Sequence, residues 1–235
     1  MTDHQELAPR HPRPHERRPS FPQASGLLAV TAVLLAGLAP LAVRVHSTIG
    51  PLHVDRWVAG HLAERFPVAG FRLGYSGYDL IARAGAPAFV IITVVLALGW
   101  ARHRRDLDGG LLAVAGPGVA FVLAEFVAKP LIGRQDPAGS WSFPSGTVTA
   151  VAASVAVSVI LVYRWAGLTR AVTTALVLTV VPIVMCVAVV ELRWHYATDA
   201  VAGLALGAAV VCAIAAALAA LEDTHRRPRL ADLGS

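Results

Sequence analysis

The chain predicts an all-α, polytopic membrane fold, a bundle of six transmembrane helices. Hydrophobic residues make up 56% of its 235 positions and charged residues 15%, a balance that ordinary soluble domains of this length do not show. The apolar residues are gathered into six long runs nearly free of charge, each long enough to cross a bilayer. Basic residues cluster in alternate connecting segments, as expected when those segments stay in the cytoplasm.

Residues 1–25 carry Arg10, Arg13, Arg17 and Arg18 among prolines and histidines, a composition that cannot bury a core, so a disordered basic cytoplasmic tail is expected. The uncharged run 26–43 lacks a clear small-residue cleavage site and reads as a first span rather than a signal peptide, with Pro40 as a kink or near its end. Over 44–77, Val54, Trp57, Val58, Leu62 and Phe66 recur at near-helical spacing among Asp55, Arg56, His61, Glu64 and Arg65, the pattern of an amphipathic helix on the outer surface. The second span covers 83–100, and Arg102-His103-Arg104-Arg105 fixes its end in the cytoplasm. A third runs over 109–129. The fourth starts at the Pro144-Ser145-Gly146 turn and reaches about 163, with Arg164 and Arg170 after it; a fifth covers 171–190. The sixth, 198–221, leads into a cytoplasmic tail, 222–235, holding Arg226, Arg227 and Arg229. Residues 26–221 thus form one membrane domain, with 80–221 as its core. Gly203 and Gly207, four apart on the last span, predict close helix packing. Trp141, Trp194 and Tyr196 fit an outer aromatic belt.

The excess of five basic residues reports topology, and no nucleic-acid partner is implied. Cys186 and Cys212 lie inside apolar runs and read as small buried hydrophobes. No histidine spacing suggests a metal, and neither a metal nor a cofactor is expected. The bilayer and a lipid substrate are the expected partners; the oligomeric state is not encoded in any visible pattern. Nineteen of the twenty basic residues are arginine, a bias that fits a GC-rich bacterial genome and hence a bacterial cytoplasmic membrane.

With both termini inside, three segments share the outer side although they lie far apart in sequence: 129–134, 143–147 and 195–199. A phosphate ester held for displacement needs cations on its oxygens, amides aimed at developing charge, and an in-line nucleophile. Lys129, the sole lysine, and Arg134 would supply the cations. Ser145 and Gly146 precede a helix, whose first amides form an anion cradle. His195 and Asp199 are four apart, one helical turn, so the carboxylate would orient the imidazole while its other nitrogen attacks phosphorus. Glu125, four before Lys129, would pair with it or tune the site.

Those residues resemble the type 2 phosphatidic acid phosphatase family, related to vanadium haloperoxidases, over roughly residues 80–221. Its motifs are Lys, six residues, Arg-Pro; then Pro-Ser-Gly-His; then Ser-Arg, five residues, His, three residues, Asp. The resemblance implies a six-span, metal-independent lipid phosphatase with His195 as the nucleophile that becomes phosphohistidine, Asp199 as its orienting partner, and Lys129, Ser145, Gly146 and Thr147 at the phosphate. This chain departs at four places: Asp136 stands at the first motif's arginine, Thr147 at the second motif's histidine, and Ala188 and Val189 at the third motif's Ser-Arg. Arg134 and Arg193 are the nearby candidates to replace the missing arginines. A threonine cannot serve as general acid near neutral pH, and a phosphate leaving group, with a second pKa of about 6, needs a proton far less than an alkoxide does. A diphosphate such as a polyprenyl diphosphate is therefore expected over phosphatidate. The alternatives are a catalytically silent relative that binds lipid phosphate or a partner, and a small lipid transporter.

Overall fold

The computed structural model describes residues 20–65, 77–136 and 139–231. Of the expected basic tail, residues 1–19 lie outside the described residues, as do 232–235 of the C-terminal tail. Six helices are long and apolar enough to cross a membrane. They are α1 (Ala24–Val45), α3 (Gly77–Arg104), α4 (Leu107–Ile132), α5 (Gly146–Ala166), α6 (Leu168–Glu191) and the last, α7, whose candidate span is Ala197–His225. The helix α2 (His53–Arg65) lies between the first two spans, where an amphipathic helix is expected. No strand occurs among the described residues, only isolated bridges pairing Gln135 with Ile49 and with Trp141.

Consecutive spans run antiparallel, so 46–55, 129–145 and 191–199 meet at one end of the bundle. Main-chain bonds tie that end together: Ser47 N donates to Ile132 O, Gln135 N to Thr48 O, Ser142 N to Arg134 O and Ser145 N to Asp199 O. The central helix is α5, with 61% of its most apolar stretch buried against 6% for α1, whose outer surface is left for lipid. Its small and β-branched residues let neighbours come close. A Cβ on Gly116 of α4 would meet Val157 at 2.7 Å and Val211 at 3.2 Å, so this glycine sits where α4, α5 and α7 cross. Gly207 of α7 lies so near the carbonyl of Thr149 that a side chain there would have to displace backbone, in agreement with the packing role expected from its spacing.

Helix ends differ from the hydropathy boundaries. The helix α3 starts at Gly77, six residues before the expected span, and α7 continues to Ala231, through much of the segment expected to be a tail. Charge ends a run of hydropathy without ending a run of backbone hydrogen bonds. Two π-helical stretches, Ile81–Gly85 in α3 and Leu123–Ala128 in α4, break the α-helical register, and the second carries Glu125.

At the end opposite the expected site, Asp106 caps α4 through Gly109 N at 3.0 Å and accepts bonds from Arg164 Nε (2.7 Å), Arg164 Nη2 (2.9 Å) and Trp165 Nε1 (2.8 Å). Arg164 also pairs with Glu222 at 2.5 Å, so the α3–α4 loop, the end of α5 and the end of α7 are fastened by one buried charge cluster.

Candidate functional site

The Phe143-Pro144-Ser145 segment turns the chain into α5, and Ser145 Oγ caps that helix by accepting from Val148 N at 3.5 Å. Ser145 is fully buried and Gly146 opens the first helical turn. The absence of a side chain at Gly146 has a visible cause: Glu125 Oε1 occupies the space a Cβ would take. The same carboxylate receives Lys129 Nζ on both oxygens, at 2.7 and 2.8 Å. Lys129 is thus linked to the α5 N-terminus through Glu125, which matches its charge.

His195 precedes α7 rather than lying in it. The helix starts at Ala197, and Tyr196 is its N-cap: Tyr196 N donates to Asp199 Oδ2 at 3.0 Å, the reciprocal bond of a capping box. The four-residue spacing is thus a cap and not a helical turn. Asp199 Oδ2 stands 3.8 Å from His195 Nδ1, too far for a hydrogen bond, and Nδ1 is 2.9 Å from the carbonyl of Ser142 instead. A carbonyl only accepts, so Nδ1 carries the proton and Nε2 keeps its lone pair. Ser142, one residue before the Phe143–Pro144 turn, is the orienting group that sequence reasoning missed.

Arg134 differs most from expectation. Its guanidinium is fully buried and points into protein. Nη1 bonds Thr198 Oγ1 at 2.7 Å and Asp199 Oδ1 at 2.5 Å, while Nη2 bonds Asp55 Oδ2 at 2.7 Å and the carbonyl of Gly50 at 3.2 Å. The Tyr196 ring lies 4.3 Å beneath the guanidinium carbon, so this tyrosine faces the cluster rather than an outer belt. Only Nε has no partner, and any direct phosphate contact by Arg134 falls to that atom. Asp55 occupies the third helical position of α2 and accepts from its N-cap, Leu52 N, at 2.8 Å, as Asp199 does in α7. It also accepts from Thr198 N at 2.8 Å. Burial pushes the Asp55 pKa up, but the bonds from Arg134, Thr198 and Leu52 outweigh it and hold the carboxyl below its ordinary range.

Arg193 is exposed and left-handed at φ 56°, in the turn that closes α6 and delivers His195. Thr147 is half-buried and lines a cleft of about 500 Å³ between α3, α4 and α5. Ala86, Pro87, Val90 and Phe121 give that cleft an apolar wall. Lys129, Glu125, Ser145, Gly146, Asp199 and Arg134 are therefore joined by direct contacts, with His195 attached through Ser142. Among the described residues no group of acidic, histidine and cysteine side chains has metal-site geometry.

The family model for the PAP2 superfamily matches residues 60–222, which is well over half of the chain. The fold is similar to the crystal structure of the first transmembrane PAP2 type phosphatidylglycerolphosphate phosphatase from Bacillus subtilis. That likeness has a TM-score of 0.62 and 21% identity, and covers 78% of this chain and 93% of the other. No curated protein matches the chain.

Proposed function

The chain belongs to the PAP2 superfamily, and from that premise we propose that it is a membrane lipid phosphatase that removes phosphate from a lipid diphosphate, with phosphatidate a poorer substrate. The observation that carries this reading is the orientation of His195, whose Nδ1–H is held by the Ser142 carbonyl so that Nε2 is the basic nitrogen.

In the proposed first step the Nε2 lone pair forms a bond to phosphorus, and the bond from phosphorus to the bridging oxygen breaks with its electron pair leaving on that oxygen. The departing lipid phosphate needs little protonation, which suits a site with Thr147 where a histidine would act as acid. Water then attacks the phosphohistidine, inorganic phosphate departs, and the N–P electron pair returns to Nε2. Lys129, the amides that open α5, and Arg193 at the rim would hold the phosphoryl oxygens. Glu125 is the resident partner that a substrate must displace from Lys129. The apolar cleft that Thr147 helps to line supports lateral entry, with the lipid chain in hydrocarbon and its phosphate at the helix end.

A second reading, a silent relative that binds lipid phosphate, is favoured by one observation: Lys129 and Arg134 are both already paired with carboxylates. Phosphate release by the purified protein from a prenyl diphosphate and from a phosphatidate, with His195→Ala as control, separates the two. Release from the diphosphate exceeds that from phosphatidate and falls at least a thousandfold in the variant if the first reading holds. Faster phosphatidate hydrolysis refutes the diphosphate preference, and equal rates with His195→Ala refute the nucleophile.

A further inference from the structure

We infer that Asp55, on the helix α2 outside the six spans, is a positioning residue of this site: it keeps the buried charge cluster beside His195 net negative. The inference rests on the phosphatase reading above. Asp55 lies outside the stretch matched by the family model, residues 60–222.

Two carboxylates bracket one guanidinium. Arg134 Nη2 is 2.7 Å from Asp55 and Nη1 is 2.5 Å from Asp199, and all three side chains are at most 1% exposed. The cluster therefore carries one uncompensated negative charge in a place from which water is excluded. Asp199, the member nearest His195, has its Oδ2 at 3.8 Å from Nδ1. Without Asp55, the full charge of Arg134 would fall on Asp199, and the cluster would be neutral as seen from the imidazole. None of the other charges near His195 belongs to this buried cluster: Lys129 and Glu125 cancel as a pair across Gly146, Arg83 over Trp194 is paired with Asp79, Arg193 is a cation two residues before, Glu191 ends α6 beyond it, and the half-buried Asp136, whose charge also reaches Tyr196, accepts from Ser140 N in its own loop. Ser142 contributes a carbonyl dipole and Tyr196 its ring under Arg134.

This charge matters to the proposed step because attack by Nε2 leaves the ring cationic, with the proton still on Nδ1. A net negative cluster stabilises that cation as it forms, whereas a neutral one does not. Asp55 acts from the N3 position of α2 through Arg134 and Thr198, and so links the outer helix to the first turn of α7 and to His195.

Asp55→Asn tests the charge while keeping an oxygen for Thr198 N. In detergent and phospholipid micelles, the acid limb of the kcat/KM profile for a prenyl diphosphate is expected to move down by about half a pH unit or more, with kcat lowered about tenfold and KM little changed. Adding Arg134→Gln removes a cation and restores the single negative charge, so the double variant is expected to return toward the natural limb. A solely structural role predicts the reverse, because the double variant loses more bonds. Asp55→Glu keeps the charge and is expected to keep the natural limb; it carries the test if Asp55→Asn does not fold. An unmoved limb in Asp55→Asn, a double variant further displaced than the single, or a displaced limb in folded Asp55→Glu overturns the inference. If the natural protein releases no phosphate, the phosphatase reading fails separately. The NMR titration of the His195 imidazole, identified by its loss in His195→Gln, then decides the same three comparisons without activity.

Discussion

On the proposed reading, Thr147 limits what the site can expel. It is the second residue of α5, beside the Gly146 that packs on Glu125, and it lines the apolar cleft. A hydroxyl does not donate a proton to an alkoxide at neutral pH, so a monoester whose leaving group is a bare alcohol is left uncatalysed at that step. Installing an imidazole supplies the acid. Thr147→His is therefore expected to raise turnover of phosphatidate by about tenfold or more while changing prenyl diphosphate turnover less, as measured by phosphate release on matched micelles. Equal gains on both substrates would show that the leaving group is not what limits the natural protein. The residue scale also shows what a motif can and cannot carry. Lys129, Ser145, Gly146 and His195 were legible because each stands at a fixed distance along the chain from a turn or a helix end. The partners of Arg134 were not, because Asp55 is 79 residues and Asp199 65 residues away, and nothing local marks an arginine that will be enclosed. Spacing alone placed Asp199 on a helix face with His195; the helix start at Ala197 makes it a cap residue.

At the scale of elements, the two ends of the bundle use the same device for different purposes. Carboxylates at helix starts, Asp55 in α2, Asp106 before α4 and Asp199 in α7, each satisfy a local amide and then hold an arginine from a distant segment. At the site end this leaves a charge surplus near a histidine. At the other end Asp106 and Glu222 share Arg164, Trp165 adds a bond, and the cluster serves to lock α4, α5 and α7 together. Burial pushes the Asp106 pKa up, and the bonds from Arg164 and Trp165 outweigh it, so the carboxyl sits below its ordinary range. A carboxyl depressed in the folded state contributes stability that is full above its unfolded pKa and is lost as pH falls through the folded value. Thermal stability in detergent is therefore expected to be flat from pH 7 to about 5 and to decline below about pH 4. Asp106→Ala leaves Arg164 short of its main partner in a buried place and is expected to cost about 3–5 kcal/mol. A melting temperature within two or three degrees of the natural protein would show that the cluster is not what holds that end. The elements themselves were readable from hydropathy, since six uncharged runs admit few other folds. Their ends were not: Arg83 interrupts the apolar pattern of α3 while its helix continues, its guanidinium resting 4.6 Å over Trp194. The π-helical stretch that brings Glu125 to Gly146 leaves no periodic trace either, because one extra residue in a turn shifts register without changing composition.

For the whole molecule, the decisive relation is between the site end and the two sides of the bilayer. Antiparallel spans fix that the loops 46–52 and 133–145 and the turn before Ala197 share one end, and that the α3–α4 loop and the α5–α6 loop share the other. Which end faces outward is expected from charge: Arg102, His103, Arg104 and Arg105 at the α3–α4 end, with Arg170 just after the α5–α6 turn, are exposed basic residues that resist translocation. At the site end Arg134 and Lys129 are matched by Asp55, Asp199 and Glu125 inside the fold and do not count as free positive charge, which leaves Arg44, Arg56 and Arg193 as the exposed arginines there among the described residues outside the Arg83–Asp79 pair. The site is thus expected on the outer face, where a lipid diphosphate in the outer leaflet would present its headgroup. Single cysteines read this directly. In a chain with Cys186 and Cys212 replaced by alanine, Trp141→Cys, at a side chain 51% exposed beside the site, is expected to react with a membrane-impermeant maleimide in intact cells. Arg105→Cys, in the α3–α4 loop, is expected to react only after the membrane is opened. The reversed pattern would turn the bundle over and put the site in contact with cytoplasmic lipids, which would remove the grounds for an externally exposed diphosphate as substrate while leaving the arrangement of His195, Ser142 and Asp55 untouched.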